Sequence, residues 1–193
     1  MSPRTLLRAY ASGAFPMTDA DGVTRWYTAD PRGLLPLDRF HCPKTLAQLV
    51  RQQRFEIRVN SDFAGVMRAC RDAPRSETSG GWIGEELIQS YTQLHGTGYA
   101  HSVEAWQNGT LVGGLYGVSL GAAFFGESMF HLVPNASKVC LVHLVERLRA
   151  KGYVLLDTQM VTGHMKQFGC VYVPAREYER RLAAALDKAC DFV

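Results

Sequence analysis

Three polar side chains in two apolar runs of the sequence could carry out chemistry on an amine. Glu127 lies in FFGESMF, and a carboxylate beside Phe and Met is costly to bury unless it is paired or faces a cavity. Asp157 and Gln159 lie two residues apart in LLDTQ, so both side chains point to one face of a strand. An acid and an amide side by side can orient a substrate amine. The pattern therefore predicts a polar reaction site, and an acid that reaches solvent at a strand edge is the alternative for Glu127.

A second candidate site is the helix start in PNASK. Asn135 is predicted as the N-cap, Ser137 lies in the first turn, and Lys138 follows it. Free backbone N–H groups and the positive end of the helix dipole make such a helix N-terminus a binding site for phosphate. Capping alone would explain Asn135 but not Lys138. Ser128 is not expected to be a nucleophile, because Phe130 replaces the final glycine of the G-x-S-x-G turn.

The surrounding pattern predicts the elements that would hold these residues. Asn108-Gly109 between two alternating runs is a strong hairpin signal, and three strands are predicted between residues 99 and 130. If the third strand alternates regularly, Phe125, Glu127 and Met129 share one face. A helix from residue 135, a strand at YVLLDTQ and an amphipathic C-terminal helix follow. This order predicts an α+β (mixed α/β) fold that resembles the N-acetyltransferase-like (GNAT-like) fold.

Composition excludes several classes of protein. No stretch approaches the ~20 apolar residues of a membrane helix, and the N-terminus lacks the apolar region of a secretory signal, so we expect a cytoplasmic protein without membrane contact. The five cysteines are irregularly spaced, which predicts neither a metal site nor a disulfide framework. Residues 1–75 hold twelve Lys or Arg against seven Asp or Glu. Such a basic half suits a polyanionic partner, and a solvated basic surface is the alternative.

Several stretches together resemble one family, the bacterial leucyl/phenylalanyl-tRNA–protein transferases. In order, they are AYASGAFP, WYTADPRGLL, GGWI, GYAHSVEAW, LVGGLYGV, FFGESMF, NASK and LLDTQ followed by GH, and they cover most of the chain. Members of this family move leucine or phenylalanine from its tRNA to the α-amine of a protein that begins with Arg or Lys, which marks that protein for degradation. The resemblance implies an aminoacyltransferase whose partners are aminoacyl-tRNA and such proteins, with no metal and no organic cofactor.

The resemblance also implies roles for individual residues. Asp157 and Gln159 are the expected catalytic pair, and Glu127 is expected to face the acceptor cleft, where a cationic N-terminus favours negative charge. Further substrate-binding residues are expected at Trp82, Phe124, Leu115, Leu144, Ser128 and Met17. The helix start at Asn135, Ser137 and Lys138 is expected near the 3′-terminal adenosine of the tRNA.

The chain departs from the family pattern at two positions that bear on the donor. Met17 stands where an aromatic residue is usual, and Leu144 stands where a pocket phenylalanine is common, so the preference among leucine, phenylalanine and methionine stays open. Residues 1–31 are expected to form a small, truncated N-terminal lobe, and residues 32–193 the acetyltransferase-like catalytic domain. Two alternative functions remain: an acetyl-CoA-dependent N-acetyltransferase, and a non-catalytic module that binds aminoacyl-tRNA or protein N-termini.

Overall fold

A computed structural model describes residues 1–74 and 83–193. Within these residues the chain forms seven α-helices, one 3-10 helix and nine strands. The order is α1 (Pro3–Ala11), β1 (Phe15–Thr18), β2 (Thr24–Tyr27), β3 (Arg32–Leu34), the 3-10 helix (Leu37–Arg39), α2 (Lys44–Arg51), β4 (Glu56–Val59), α3 (Phe63–Asp72), α4 (Glu85–Gly96), β5 (Ala100–Gln107), β6 (Thr110–Leu120), β7 (Ala123–His131), α5 (Ala136–Ala150), β8 (Leu155–Gln159), α6 (Gly163–Lys166), β9 (Val171–Val173) and α7 (Ala175–Leu186).

The main sheet has seven strands in the order β4-β5-β6-β7-β8-β3-β9, and β1 and β2 form a separate antiparallel pair. Neighbours in the main sheet are antiparallel except β7 and β8, which run parallel. Helix α5 supplies the long connection that a parallel pair requires. The prediction of a mixed α/β fold is confirmed, and the order of an antiparallel meander, a helix and a further strand is as predicted.

The predicted hairpin at Asn108-Gly109 joins β5 to β6. Both turn residues have positive φ angles, 52° and 75°, which is the backbone of the tight turns that favour the Asn-Gly pair. The three strands predicted between residues 99 and 130 are β5, β6 and β7. Local turn chemistry therefore determines the centre of the sheet.

Two hydrophobic clusters lie on the two faces of the sheet. One contains Leu6 and Tyr10 of α1 together with Met67 of α3, and the other contains Leu46 of α2 and Leu144 of α5. Side chains of the N-terminal helix thus share a core with the later helices, and a division of the chain at residue 31 stays a prediction. None of the helices in the described ranges is long and apolar enough to cross a membrane.

A β-bulge interrupts β7 at Glu127. Tyr116 of β6 pairs with Ser128 and Gly117 pairs with Gly126, so Glu127 is the extra residue with no partner in the register. A bulge of this kind shifts the alternation of the strand by one residue. It also turns the side chain of the extra residue away from the direction that the ladder would give it.

The bulge makes the predicted face assignment wrong. Phe125 and Phe130 belong to the cluster on the side of α1, whereas Phe124 and Met129 pack on the side of α5. Met129 therefore does not share a face with Phe125, as regular alternation would require.

Candidate active site

A cavity of about 450 Å³ opens where β7 and β8 part. The described pairing of these parallel strands ends at Phe125 and Asp157, and the next residues of both strands line the opening. The part of a sheet where two parallel strands separate has unpaired backbone groups, which favours a ligand site at this position. Glu127 contributes to the cavity wall, and Gln159 lies beside it.

Apolar side chains form most of the cavity wall. Leucine and methionine side chains come from β6, β7, α5, β8 and α6, and polar groups are interspersed among them. Five of the residues predicted to bind substrate or the tRNA end are brought together here: Leu115, Glu127, Ser128, Ser137 and Leu144. Methionine adapts its shape to different ligands, so this wall suits apolar side chains of more than one shape.

Tyrosine side chains from helices α1 and α4 position the carboxylate of Glu127, which lies in strand β7. Tyr10 of α1 donates a hydrogen bond to Glu127 Oε1 at 2.8 Å, and the Tyr10 hydroxyl also contacts the hydroxyl of Tyr91 in α4. Gln159 Nε2 approaches the same Oε1 at 3.4 Å, a long hydrogen bond. Burial raises the pKa of Glu127 to about 8, and the charge of Asp157 adds to the rise, although the bond from Tyr10 opposes it. Glu127 can therefore exchange a proton near neutral pH.

Asp157 lies behind Gln159 and is completely buried. Arg32 donates to both of its oxygens, from Nε to Oδ1 at 3.0 Å and from NH2 to Oδ2 at 2.7 Å, and the Tyr178 hydroxyl donates to Oδ2 at 2.6 Å. The backbone N–H of Gln159 donates to Oδ1 at 2.8 Å. All of these hydrogen bonds are with other residues of the protein, so the carboxylate of Asp157 has a structural role and does not face the cavity.

The guanidinium of Arg32 is as deeply buried as its partner, with 1% of the residue exposed. Its NH1 donates to the carbonyl oxygen of Gly13 at 2.9 Å, and its plane lies over the rings of Phe15 and Tyr178 at 4.8 and 4.5 Å. Burial lowers the pKa of Arg32, but the bonds with Asp157 outweigh that effect and raise it. A buried charge is tolerated when its hydrogen bonds and its counter-charge are supplied in this way.

This ion pair sets the backbone of Gln159. Its φ angle is 55°, in the left-handed region that a residue with a long side chain seldom adopts. The bond from its N–H to Asp157 stabilises that conformation. Gly33 lies opposite in β3, where a Cβ atom would come within 2.6 Å of the backbone carbon of Met160. The strand end is therefore held in one arrangement, which directs the Gln159 amide towards Glu127.

Two residues predicted for the aminoacyl pocket lie elsewhere. Phe124 is fully buried and stacks on Phe192 with ring centroids 5.2 Å apart, and it is absent from the described cavity wall. Met17 lies in β1 opposite Arg25 and packs against the cluster on the side of α1. Trp82 lies outside the described residues.

The residues predicted for the tRNA end divide between two cavities. Ser137 lines the large cavity, whereas Asn135 and Lys138 line a separate cavity of about 80 Å³ beside the start of α2. Asn135 occupies the N-cap position of α5, but its φ angle is 70° and its side chain makes no capping hydrogen bond. The predicted capping role of Asn135 is therefore wrong, because its side chain leaves the first turn uncapped.

Several site residues carry no local sequence signal. Arg32 and Asp157 are 125 residues apart, and Tyr10 and Glu127 are 117 apart, so no spacing rule links them. Arg32 lies in a short strand whose three residues are all buried, an unusual place for arginine that only the structure reveals. The described residues include no group of three or more His, Cys, Asp or Glu side chains that could hold a metal. Sequence reasoning missed four residues of the site: Tyr10, Arg32, Tyr91 and Tyr178.

Comparison with known proteins identifies the family. The model of the leucyl/phenylalanyl-tRNA protein transferase family matches residues 34–183, and the model of its N-terminal domain matches residues 1–30. A leucyl/phenylalanyl-tRNA–protein transferase of Salinibacter ruber is 52% identical over all of this chain and 83% of its own length, and one of Gloeobacter violaceus is 52% identical over all of this chain and 97% of its own length.

Among solved structures, a functionally unknown conserved protein from Staphylococcus epidermidis superposes with a TM-score of 0.48 at 12% identity, covering 90% of this chain and 65% of that one. The two family models together match nearly the whole chain, and the two relatives are 52% identical to it over its full length. This chain therefore belongs to the leucyl/phenylalanyl-tRNA protein transferase family, a family of aminoacyltransferases.

Proposed function

We propose that the protein transfers leucine, phenylalanine or methionine from aminoacyl-tRNA to the N-terminal α-amine of proteins that begin with Arg or Lys. Family membership carries this proposal and favours it over the acetyl-CoA-dependent alternative. The same proposal includes that the transfer marks the acceptor protein for degradation. It also places the protein in the cytoplasm, where charged tRNA is made.

The apolar part of the cavity is the proposed seat of the donor side chain. Leu115, Leu144 and Leu156 line it together with Met129. Its volume of about 450 Å³ lies within the range of small-ligand pockets. Desolvation makes a charged donor side chain costly in such surroundings, whereas size alone discriminates only modestly. The pocket therefore favours large apolar donors as a class.

The acceptor amine is proposed to approach Glu127 and Gln159. An α-ammonium group has a pKa of about 7.7–8.0, close to the value of about 8 to which burial raises Glu127. The raised pKa makes ionised Glu127 a stronger base than an ordinary carboxylate, so it can take a proton from the ammonium and leave a neutral amine next to a carboxyl group. The charge of Asp157 is neutralised by Arg32, so Glu127 is the acid that a cationic N-terminus meets in the described cavity wall.

The reaction requires little activation of the donor, because the aminoacyl ester is already a reactive, high-energy bond. The amine nitrogen attacks the ester carbonyl carbon, the bond from that carbon to the ribose oxygen breaks, and a proton from the amine ends on the ribose oxygen. Holding the amine and the ester together supplies most of the acceleration. In this proposal Gln159 orients the amine, Glu127 accepts or returns a proton, and Asp157 positions Gln159 through its backbone.

The tRNA is proposed to bind through charge. Arg4, Arg8 and Arg51 are exposed, and the described residues provide no ion partner for them. Arg25, in contrast, is already bound by two carboxylates of its own hairpin. Lys138 at the start of α5 is a further cation, and it lines the small cavity beside the start of α2. Phosphate contacts of this kind make binding dependent on salt.

The proposal is tested by mass spectrometry. The protein is mixed with tRNA charged with leucine, phenylalanine or methionine and with a peptide that begins with Arg, and the peptide is weighed. We expect a gain of one aminoacyl residue with each donor. The matched controls are the same peptide with an acetylated α-amine and a peptide that begins with Glu, and neither should gain mass. No gain on the Arg peptide, or an equal gain on the acetylated one, would refute the proposal.

A further inference from the structure

An imidazole nitrogen in the cavity wall has no hydrogen-bond partner. His164 Nε2 has almost no accessible surface, and the described part of the chain offers it no donor or acceptor. The ring itself lines the cavity and lies edge-on to Phe168, with ring centroids 5.6 Å apart at 67°. An unpaired buried nitrogen is costly, and native structures keep such groups where a ligand or a reaction uses them.

His164 lines the same cavity as Glu127. His164 follows Gln159 by five residues and lies in the first turn of α6, where the Thr162 hydroxyl accepts a hydrogen bond from the backbone N–H of Met165 at 3.2 Å. Thr158 and Thr162 line this cavity as well. The start of α6 is therefore held by its own cap, which fixes the backbone that carries the His164 ring in the cavity wall.

The electrostatic surroundings select the kind of ligand group that fits. Burial lowers the pKa of His164, and the positive charge of Lys138 lowers it further, so the ring of His164 is neutral near pH 7. A neutral imidazole offers one donor and one acceptor nitrogen but no charge. Met160 and Met165 line the cavity around it. An uncharged group that can both donate and accept, such as a hydroxyl, matches this wall better than a phosphate does.

We propose that His164 hydrogen-bonds the 2′-hydroxyl of the donor's terminal ribose, the hydroxyl next to the aminoacyl ester. This inference rests on the proposed function, because it takes aminoacyl-tRNA as the donor. The bond fixes the ribose relative to the ester that Gln159 and Glu127 face. His164 is thus a substrate-positioning residue.

The test is a binding cycle with two non-hydrolysable donors. One is adenosine that carries a phenylalanyl amide at the 3′ position, and the other lacks the 2′-hydroxyl. Affinities are measured by calorimetry for the wild type, His164→Phe, His164→Gln and the control His143→Phe, which changes a histidine of α5 outside the described cavity wall. We expect the wild type and His143→Phe to lose about three- to ten-fold in affinity for the 2′-deoxy compound, as one hydrogen bond predicts.

In His164→Phe we expect the two compounds to bind equally, both at the weaker level, while His164→Gln keeps part of the preference. The inference is overturned if His164→Phe, or His164→Gln where the first variant does not fold, discriminates between the two compounds as strongly as the wild type does. A wild type that transfers amino acids but ignores the 2′-hydroxyl also overturns it and leaves the proposed function intact. A wild type that neither transfers nor binds either compound would remove both.

Discussion

Removing the carboxylate of Asp157 should destabilise the protein strongly, because it leaves Arg32 charged and unpaired in the core. The two side chains are 0% and 1% exposed, so solvent does not screen the pair. Breaking a buried pair by deleting one partner costs about 3–5 kcal/mol. For a domain of this length each kcal/mol lowers the melting temperature by about 2–4 °C, so Asp157→Ala should melt about 6–20 °C below the wild type.

The assay is thermal and urea denaturation, with turnover measured at a temperature at which each variant is folded. The matched control is Asp72→Ala, which breaks the exposed pair with Arg71 and should change stability by about 0–1 kcal/mol. Tyr178→Phe removes one hydrogen bond to Asp157 and should cost about 1 kcal/mol. Folded Asp157→Ala should also turn over at least ten-fold more slowly, since nothing then holds the backbone N–H of Gln159.

A double variant separates the two roles of the pair. Arg32→Met combined with Asp157→Leu replaces both charges by apolar groups, which is often neutral or stabilising. We expect it to recover much of the lost stability but not the turnover, because the acceptor for the Gln159 N–H is still missing. Asp157→Ala that is as stable as Asp72→Ala would refute the account of the buried pair, and a fully active double variant would refute the positioning role.

Three further predictions concern other parts of the site. Folding raises the pKa of Glu127 from 4.5 to about 8, so the contribution of Glu127 to stability is complete below about pH 4.5 and is lost as the pH rises through 8. The urea midpoint of the wild type should therefore fall as the pH rises, and Glu127→Gln should abolish this part of the pH dependence. Leu144→Phe should narrow the cavity and shift transfer from phenylalanine towards leucine and methionine, measured with tRNAs charged with each amino acid. An unchanged ratio of phenylalanine to leucine transfer would show that Leu144 is not part of the donor pocket. Arg4→Ala with Arg8→Ala should weaken tRNA binding and flatten its salt dependence, whereas Arg25→Ala should have a smaller effect because Arg25 is already paired; equal effects would contradict the charge assignment.

The centre of the fold could be predicted from the sequence because its signals are local. Asn108-Gly109 predicts a turn between two alternating runs, and the structure has β5 and β6 there with both turn residues at positive φ. The spacing of Asp157 and Gln159 places both at the end of one strand, which is β8. These features depend on the preferences of a few adjacent residues, so no knowledge of distant contacts is needed.

The composition of the site could be predicted only in part. Leu115 and Leu144 line the cavity as the family resemblance implies, whereas Phe124 packs against Phe192 behind it. Resemblance to a family indicates which positions matter, but the side chain at each position takes the side of the sheet that the register assigns. In β7 that register is shifted by a bulge that the apolar run does not reveal.

The environment of the reactive groups was decided by the tertiary structure alone. Arg32 meets Asp157 because β3 and β8 are neighbours in the sheet. Tyr10 reaches Glu127 because its ring packs on Phe125 of β7. These contacts join residues more than a hundred positions apart. The burial that comes with the assembled sheet raises the pKa of Glu127 to about 8, although the bond from Tyr10 opposes the rise. The sequence alone determined which groups the site has, and folding determined their charge and orientation, because burial and long-range pairing exist only once the sheet has assembled.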